Sequence, residues 1–518
     1  MKIYTSKEMR EIDRISIQEE KIPSLALMEN AAKGVTGEIL KAAGAEMLRR
    51  TVVIAGKGNN GGDGIAIARI LRGLGFSPEV FVLGTRDELS EDAVVQAEKY
   101  KTLGSITFSG DKDFRSSLGR SLSGANVVID AILGTGAKGK VSQSCEEIIS
   151  LINDSNAFVV SVDIPSGLSG DSFIPAGPAV KADLTVTLGF IKPPLVSPEC
   201  EEYCGKVAVV DIRLSEKASE KVKAGAEALD IEWARPFFTG RKKSTHKGEM
   251  GHLLIVAGSR GKLGASILAG KGALRAGCGL LTVAVPESLA NHLTVALPEA
   301  MTLPLPETAE GTLSSGGWEK ILPFFPSVDA LAIGPGLTTN AGTRTLVQKL
   351  YKEVEKPCVI DADGLNAFEG CDTLLKDHNG ERILTPHPGE LGRLLNTNAE
   401  AVLQNRYSLA TEHSHKWRVC ILLKGYKSII GSADRKLRIN LSGGSYMAAP
   451  GMGDVLTGVC GALLARRTGC FDAASLSAFW HGFAAEIAFN AKGYGILASE
   501  VADSLPLAES ILRNDHSA

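Results

Sequence analysis

The feature that most constrains this chain is an alternation of short, apolar, β-branched segments with stretches long enough to form a helix. In the first half these segments are TVVIA at 51–55, PEVFVLG from 78, NVVID at 126–130 and AFVVSVD at 157–163. Strands that are apolar on both faces are typical of sheets covered by helices on both sides, and helix-length connections join strands that run parallel. The pattern predicts an α/β domain with a doubly wound parallel sheet.

The alternation of strand and helix patterns starts a second time after a charged segment near the middle of the chain. The segment after 214 is charged and poor in strand patterns, and a basic stretch follows at 240–248. The second series runs HLLIVAG from 252, LLTVAVP from 280, ALAIGPG from 330, CVIDADG from 358, RILTPHP from 382 and CILLKG from 420. Because domain boundaries fall in polar linkers, the sequence predicts two α/β domains, at 1–215 and 225–515.

The first residues of the chain have the pattern of a capped helix. Thr5 and Glu8 have the spacing of a capping box, in which each side chain accepts a hydrogen bond from the other residue's backbone. Apolar residues recur at helical spacing behind them. The sequence predicts a helix that begins here and runs toward Glu20.

Composition excludes several classes of function. The 56 Lys and Arg residues against 59 Asp and Glu give a net charge of −3, so no global positive field attracts nucleic acid or an anionic membrane. No uncharged apolar stretch of about 18 residues occurs, and the first turn is charged. The nine cysteines include no C-x-x-C pair, which favours buried thiols in a reducing compartment. We expect a cytoplasmic protein without nucleic-acid or membrane partners.

A glycine-rich loop follows the first strand pattern, at 56–64 (GKGNNGGDG), and leads into a helix pattern. It formally satisfies G-x-G-x-x-G, but the next strand ends without the acid that a dinucleotide-binding dehydrogenase uses for the ribose. The glycines, two asparagines and Asp63 expose N–H groups and side-chain oxygens at the start of a helix, where anions bind. The sequence favours a ligand-binding loop, and a tight turn without a ligand stays the alternative.

Two further strand patterns end in acids at the same predicted sheet edge. Asp130 ends one strand and Asp163 the next, and a flexible basic loop, GTGAKGK at 134–140, follows the first of them. One acid at a strand end is commonly a helix cap, but ligands of open α/β sheets bind where such loops converge. Oxygen ligands from Asn60, Asp130 and the Ser166 region suit a hard cation, with phosphate on the glycines.

These motifs resemble the NAD(P)H-hydrate epimerases, whose domain has a Rossmann-like sheet. The resemblance is carried by GNNGGDG at 58–64, by Asp130 with its GTG loop and by VDIPSG at 162–167, and it spans most of 1–215. It implies a potassium ion held by Asn60, Asp130 and the Ser166 carbonyl. It also implies that Asp163 is catalytic and transfers a proton while the C6 hydroxyl of the hydrate leaves and returns. The hydrate-binding residues it implies are Asn59, Asn60, Gly61, Gly62, Asp63, Gly134, Thr135, Gly136, Ala137, Lys138, Gly139, Lys140 and Asp163.

In the second half, the segment APGMGD at 449–454 opens an apolar helix pattern. Glycines at a helix start expose N–H groups that stabilise a transferring phosphoryl group, and Asp454 can accept a proton from an attacking hydroxyl. No G-K-[ST] follows, so this is not a Walker loop but the anion hole and base typical of ribokinase-like phosphotransferases. Two other strand patterns of the second half end in candidate site residues.

The strand pattern CILLKG ends in Lys424 and Gly425, which can contact nucleotide phosphates from this position. The strand pattern RILTPHP contains His387 at its end, where it can contact substrate, although a lone histidine is more often structural.

The motifs of the second half together resemble the NAD(P)H-hydrate dehydratases, which are ribokinase-like. They are GSRGKLGA at 258–265, GPG at 334–336, DADGLN at 361–366, TPHPGE at 385–390, LKG at 423–425 and GMGD at 451–454. Gly364 stands where that family often has Ala. The implied substrate contacts are Ala265, Gly336, His387 and the catalytic base Asp454. The implied nucleotide contacts are Lys424, Gly425, Tyr426, Lys427, Ser428, Gly444, Ser445, Tyr446, Met447, Ala448, Ala449, Pro450, Gly451, Met452 and Gly453.

Both resemblances together imply a bifunctional metabolite-repair enzyme, an isomerase joined to a lyase. It would interconvert the R and S epimers of hydrated NADH and NADPH (NADHX and NADPHX) and dehydrate the S epimer with ADP or ATP and magnesium. The family suggests a homo-oligomer, and the sequence does not distinguish ADP from ATP. Two other classes stay open: the second half as a kinase of a small hydroxymethyl compound, and the first half as a non-catalytic binding module.

Overall fold

The computed structural model describes residues 1–136, 141–240 and 242–514. The chain divides into two compact units, Met1–Glu227 and Ala228–Ala518. A seven-stranded sheet lies in the first unit, most of an eleven-stranded sheet lies in the second, and each unit has its own buried apolar core. The predicted fold class, two α/β domains, is confirmed.

The first unit begins with the predicted helix. Thr5 caps it, and both hydrogen bonds of the capping box with Glu8 are present; the α-helix ends at Arg14 and continues as one π-helical turn, Ile15–Glu19. The elements are β1 (Lys2–Ile3), α1 (Ser6–Arg14), α2 (Ser24–Met47), β2 (Thr51–Ala55), α3 (Asn59–Gly73), β3 (Glu79–Val82), α4 (Glu91–Lys101), β4 (Ile106–Phe108), α5 (Phe114–Gly124), β5 (Val127–Ala131), α6 (Gln143–Asn153), β6 (Phe158–Val162), β7 (Leu184–Leu188), α7 (Glu201–Cys204), β8 (Lys206–Val210), α8 (Glu216–Lys221) and β9 (Ala226–Leu229), which spans the division between the units.

Seven strands of the first unit form one parallel sheet in the order β4-β3-β2-β5-β6-β7-β8. Alternate residues of each strand enter two different cores: Val53 and Ile129 pack in one, Val52 and Val128 in the other. The strand order reverses between β2 and β5, so the loops after these two strands diverge to opposite faces. Ligands of open α/β sheets bind in the crevice at such a point.

The second unit contains the second βα series. Its elements are α9 (Ile231–Ala234), β10 (His252–Val256), α10 (Leu263–Arg275), β11 (Leu280–Pro286), α11 (Ala290–Ala296), β12 (Met301–Leu305), α12 (Gly317–Ile321), β13 (Ala330–Ile333), α13 (Ala341–Glu353), β14 (Cys358–Ile360), α14 (Asp363–Asn366), β15 (Arg382–Leu384), α15 (Pro388–Leu394), α16 (Ala399–Gln404), α17 (Arg406–Trp417), β16 (Cys420–Leu423), β17 (Ile429–Gly431), β18 (Leu437–Asn440), α18 (Met452–Ala465), α19 (Cys470–Lys492) and α20 (Ala498–Asn514). Seven parallel strands run in the order β16-β15-β14-β13-β10-β11-β12, and β17 and β18 extend the β16 side as antiparallel strands.

Helices α10 and α18 pack closely against each other beside this sheet, and glycine makes the approach possible. A Cβ on Gly458 would lie 1.9 Å from the carbonyl oxygen of Ala269, and a Cβ on Gly272 would lie 2.5 Å from that of Val455. Both distances are far below van der Waals contact. Gly272 and Gly458 are therefore packing residues, and they hold α18, the helix that begins at the 449–454 motif, against α10.

The sequence analysis also predicted buried cysteines and no membrane-spanning segment. All nine cysteines are free thiols, and all but Cys371 are buried, as predicted. Among the described residues, no helix combines the length and the apolar character that crossing a lipid bilayer requires.

Candidate active sites

A cavity of about 980 Å³ opens in the first unit at the carboxyl ends of β2 and β5. Among the residues predicted to bind the hydrate, those that line it are Asn59, Asn60, Asp63, Gly134, Thr135, Gly136 and Asp163. Gly61 and Gly62 are buried in the first turn of α3 beside them. The predicted residues Ala137, Lys138, Gly139 and Lys140 lie outside the described residues. The structure thus brings the motifs of three strand-end loops to one cavity.

The glycines of the 56–64 loop let α3 start directly against the neighbouring loops. A Cβ on Gly56 would lie 1.9 Å from the Ile132 carbonyl oxygen, and one on Gly61 would lie 1.8 Å from the Gly56 carbonyl oxygen. No side chain caps α3, and the Gly62 N–H, which donates to the Gly58 carbonyl, is the first to bond within the helix. The preceding N–H groups of the first turn therefore stay available to an anionic or polar ligand.

Asp130 is fully buried in β5 and ties two loops together. Its Oδ2 accepts from the Ser161 hydroxyl at 2.8 Å and the Ser166 N–H at 2.9 Å, and its Oδ1 accepts from the Ser166 hydroxyl at 2.6 Å and the Ile132 N–H at 3.2 Å. Burial raises the pKa of the Asp130 carboxyl, although these hydrogen bonds oppose the rise. The carboxylate holds the Ser166 loop against the end of β5.

Asp163 forms a buried ion pair at the edge of the cavity. Its backbone is left-handed, with φ of 71°, and its Oδ1 lies 2.6 Å from the ammonium of Lys192, which is 1% exposed. That ammonium also donates to the Thr187 hydroxyl at 3.0 Å and the Leu188 carbonyl at 2.6 Å. Burial by itself raises the pKa of Asp163, but the charge and hydrogen bond of Lys192 outweigh it and leave the pKa lowered. Asp163 is therefore an ionised carboxylate, ready to accept a proton.

Three more carboxyls line the same cavity: Asp13 from α1, Asp63 from α3 and Asp92 from α4. Burial raises the pKa of Asp63 well above its ordinary value, and the charge of Asp163 adds to the rise. Burial also raises the pKa of Asp13, to about 6. The sequence motifs included Asp63 but missed Asp13 and Lys192. A lysine inside the apolar segment FIKPPLV was a usable signal for Lys192, whereas nothing in the pattern of α1 pointed to Asp13.

The three donors predicted for potassium are the Asn60 side chain, the Asp130 carboxylate and the Ser166 carbonyl. The Asn60 side-chain nitrogen is buried without a hydrogen-bond partner, so this amide is free to turn its oxygen toward a cation. The Ser166 carbonyl accepts one N–H, from Val180, at 2.9 Å, and carbonyl oxygens have a second lone pair. Asp130 already accepts four hydrogen bonds, so a cation at its oxygens would replace one of them. One carboxylate among neutral oxygens has the charge that suits a monovalent cation. Among the described residues, no cluster of His, Cys, Asp and Glu suits a transition metal.

In the second unit, the 449–454 motif forms the start of α18. Gly451 precedes the helix in the left-handed conformation, with φ of 86°, and the Val455 N–H is the first to bond back, to the Gly451 carbonyl. The N–H groups between them have no partner within the helix and no side chain caps them. Asp454 lies in this first turn. These N–H groups and the Asp454 carboxyl are the groups for which the sequence predicted an anion hole and a base.

A buried network of charges lies behind Asp454. The ammonium of Lys424 lies 2.6 Å from Asp361 Oδ1 and 3.7 Å from Glu390 Oε2. Asp361 also accepts from the Thr385 hydroxyl at 2.8 Å and the Thr457 hydroxyl at 2.7 Å. Burial and the charge of Asp361 raise the pKa of Asp454 to about 7, and Lys424 opposes the rise. Asp361, Glu390 and Thr457 were missed as site residues, although the motif DADGLN contained the first of them.

The predicted substrate contacts of the second unit fall near this network. A Cβ on Gly336 would lie 3.1 Å from the Ala265 Cβ, so these two residues adjoin. His387 accepts at Nδ1 from the N–H groups of Gly389 and Glu390 and thereby caps α15. Its imidazole is half exposed, and burial lowers its pKa. The histidine has a structural role as a cap and still presents a neutral ring at the surface.

A second cavity, of about 880 Å³, lies in this unit. The predicted nucleotide contacts that line it are Lys424, Gly425, Tyr426, Lys427, Ser428, Gly444, Ser445, Tyr446, Met447, Ala448, Met452 and Gly453. Ala449, Pro450 and Gly451 do not line it; they connect the lining residues 444–448 to the start of α18. The rings of Tyr446 and Phe489 stack 4.4 Å apart at its wall. His481, which sequence reasoning missed, also lines the cavity and is buried with no partner for Nε2.

The two halves match two family models. The model described as NAD(P)H-hydrate dehydratase matches residues 253–507, and the model described as YjeF-related protein N-terminus matches residues 24–194. The chain is 37% identical to a bifunctional NAD(P)H-hydrate repair enzyme of Moorella thermoacetica, over 99% of this chain and 97% of that one. This chain belongs to that family. A second member, from Thermofilum pendens, is 35% identical over 99% of this chain and 97% of its own.

Membership of the bifunctional NAD(P)H-hydrate repair enzymes confirms the resemblances found in both halves, including the dehydratase domain in the second. Among solved structures, an ADP/ATP-dependent NAD(P)H-hydrate dehydratase from Bacillus subtilis, co-crystallised with ATP and Mg²⁺, is 28% identical with a TM-score of 0.48. It covers 55% of this chain and 99% of its own.

Proposed function

We propose that this member of the family repairs hydrated NADH and NADPH in two steps. Residues 1–215 interconvert the R and S epimers at C6, and residues 225–515 dehydrate the S epimer with ADP or ATP. The observation that carries the proposal is that each unit has its own cavity, lined by the motif that predicted its activity. Family membership over 99% of the chain supports the pairing of both activities.

In the first step, the residues of the first cavity bind the hydrate and move a proton. The C6 hydroxyl departs as the lone pair of the adjacent ring nitrogen forms a double bond, and water then returns to the other face. Asp163 acts as the base for the returning water, since Lys192 holds it ionised. Asn60, Asp130 and the Ser166 carbonyl would hold potassium, which supplies a fixed positive charge beside these carboxylates.

In the second step, Asp454 accepts the proton of the C6 hydroxyl while a phosphoryl group transfers to its oxygen. A pKa of about 7 suits a base that works near neutral pH. The free N–H groups at the start of α18 stabilise the charge of the transferring group. Magnesium bound to the nucleotide phosphates neutralises their charge. Phosphate is a better leaving group than hydroxide, so the ring nitrogen then expels it and restores NAD(P)H.

The nucleotide is proposed to occupy the second cavity. Lys424 to Ser428 and the 444–448 segment form its wall, and aromatic rings at one end suit a base. The ammonium of Lys424 already pairs with Asp361, so its contact with a phosphate would be shared with that carboxylate. The choice between ADP and ATP, a cytoplasmic location and a homo-oligomeric state stay predictions.

The proposal is tested with the purified full chain and a racemic mixture of hydrated NADH. We expect complete recovery of NADH absorbance with ADP or ATP and Mg²⁺, and none without nucleotide. If NADH recovery stops at half of the racemic mixture, after correction for spontaneous epimerisation, the first unit is not an epimerase. Accumulation of a stable phosphorylated product would instead identify the second unit as a kinase.

A further inference from the structure

Asp13 lies on α1, outside the 24–194 range of the family model and outside every motif of the first half. Its carboxyl lines the 980 Å³ cavity. It makes no hydrogen bond and no ion pair within 4 Å to any described residue, whereas Asp163 is held by Lys192 at 2.6 Å. A carboxyl without a structural partner in a binding cavity is available to a ligand.

The charges around Asp13 come from several elements of the unit. Lys192, which follows β7, and Asp163, which follows β6, act on it directly. Asp63 of α3 couples to both Asp13 and Asp163 and also to Asp92 of α4, and the guanidinium of Arg10 lies at the cavity one turn earlier on α1. Lys192 is the one fully buried cation among these groups, and it already pairs with Asp163.

Asp13, Asp63 and Asp163 share one cavity with Asp92 and with one fully buried cation, Lys192, and they do not all ionise together, because like charges in a poorly solvated site repel. The contact with Lys192 keeps Asp163 in the ionised form. At least one proton therefore resides on the other two carboxyls near neutral pH, and the cavity holds an acid and a base at once. Neighbouring carboxyls in different environments are the pattern of an acid and base pair.

We propose that Asp13 is a further catalytic residue of the epimerisation: it protonates the departing C6 hydroxyl, and Asp163 deprotonates the water that returns to the other face. This rests on the proposed function of the first unit. The C6–O bond breaks with its electron pair on oxygen, the Asp13 proton completes a water molecule, and the ring nitrogen supplies the pair for the C=N bond. A water oxygen then bonds to C6 and its proton passes to Asp163. The reverse epimerisation uses the two carboxyls in exchanged roles.

Asp13 suits this role better than Asp63. Asp63 is 6% exposed and lies on α3 just after its glycine-rich first turn, whereas Asp13 is only partly buried. A proton donor must be reloaded in every cycle, which requires exchange with solvent or with Asp163. A pKa of about 6 leaves Asp13 able to both lose and regain its proton near neutral pH.

The test measures epimerisation by the full-length Asp13→Asn and Asp13→Glu variants, with Glu11→Gln as control. Glu11 lies on the same helix, but its side chain is 47% exposed and pairs with Arg14. We expect Asp13→Asn to lower the epimerisation rate by about 10²- to 10⁴-fold, mainly in kcat. The wild-type rate should fall as pH rises through about 6, since the acid is lost, and Asp13→Asn should lack this decline. Asp13→Glu should restore part of the rate.

Three outcomes would overturn the proposal. The first is an Asp13→Asn variant with wild-type rate and pH profile. The second is loss of the alkaline decline in Asp63→Asn but not in Asp13→Asn, which would assign the acid to Asp63. The third is an equal loss in Asp13→Asn and Asp13→Glu with only KM affected, which would indicate a structural role. Failure of the wild-type chain to epimerise at all would instead refute the proposed function, so the two failures are distinct.

Discussion

At the scale of single residues, both candidate sites depend on carboxyl groups whose protonation is set by burial and by one lysine. Lys192 keeps Asp163 ionised, whereas burial and the charge of Asp361 raise the pKa of Asp454 to about 7. The same residue type thus serves two different tasks because its surroundings differ. Neither environment is visible in a motif, since the partners that create it lie far away in the sequence.

The first prediction concerns Asp454. Asp454→Asn should lower nucleotide-dependent dehydration by about 10²- to 10⁴-fold, because a positioned base is lost, and should leave epimerisation unchanged. Wild-type dehydration should increase as pH rises through about 7, since the base must be ionised. Both activities are measured on separated epimers. Asp434→Asn, at an exposed position of the same unit, is the matched control and should change neither. Near-normal dehydration by Asp454→Asn would contradict the assigned mechanism.

The second prediction concerns the stability of the buried pair in the first unit. Lys192→Met leaves the Asp163 carboxylate buried and uncompensated, so we expect the first unit to lose about 3–5 kcal/mol of unfolding free energy at neutral pH. The pKa of Asp163 is lowered on folding, so its contribution is present above its unfolded pKa of about 3.9 and is lost as pH falls through the lower folded value.

Denaturant unfolding at several pH values measures this effect. The acid-dependent loss of stability should be smaller in Lys192→Met than in the wild type. Lys181→Met is the control, because the Lys181–Glu202 pair is more than half exposed on both sides and exposed pairs contribute little. Equal effects of the two substitutions would show that the Lys192 pair does not stabilise the fold.

At the scale of elements, the strand patterns were largely readable. The segment TVVIA is β2 with the predicted bounds, and the segment HLLIVAG contains β10, which ends two residues earlier, at Val256. Asp163 was predicted to end its strand and lies one residue after the end of β6. The strand that contains Asp130 extends one residue further, to Ala131. The antiparallel strands β17 and β18 were not predicted, because three or four residues carry too little periodicity. Most motif residues of both sites were found, but the partners that only tertiary packing brings there were not: Asp13 and Lys192 in the first site, and Asp361, Glu390, Thr457 and His481 in the second.

The third prediction tests the close packing of α10 and α18. Gly458→Ala places a Cβ against the Ala269 carbonyl oxygen, and backbone must move to accommodate it. We expect a loss of about 1–3 kcal/mol in the unfolding free energy of the second unit, and reduced dehydration because α18 carries Asp454. Gly264→Ala on α10, where nothing lies within 4 Å of the added Cβ, is the control. It should leave stability unchanged or raise it by up to about 1 kcal/mol, since alanine favours a helix.

At the scale of the whole molecule, the chain is two units, each with its own core and its own cavity. The sequence suggested this division from a charged stretch poor in strands, and the structure divides the chain between Glu227 and Ala228. Each core is large enough to expect independent folding.

The fourth prediction follows from this separation. Residues 225–518 expressed alone, which keep β9 whole, should dehydrate the S epimer with ADP or ATP and stop at half conversion of a racemic mixture. Addition of residues 1–224 as a second polypeptide should restore full conversion. Absorbance of the recovered NADH follows both reactions. Complete conversion by residues 225–518 alone, beyond the rate of spontaneous epimerisation, would contradict the division of labour.

The left-handed backbone of Asp163 has a consequence for how distant sequences are interpreted. Asparagine, aspartate and glycine adopt this conformation at low cost, whereas β-branched residues do so only with strain. In a gene copy that no longer needs the reaction, mutations can replace Asp163 without strain only by asparagine or glycine. Asn or Gly at this position, with the neighbouring glycines retained, would therefore be the expected mark of a descendant that keeps the fold as a binding module after its chemistry has been lost.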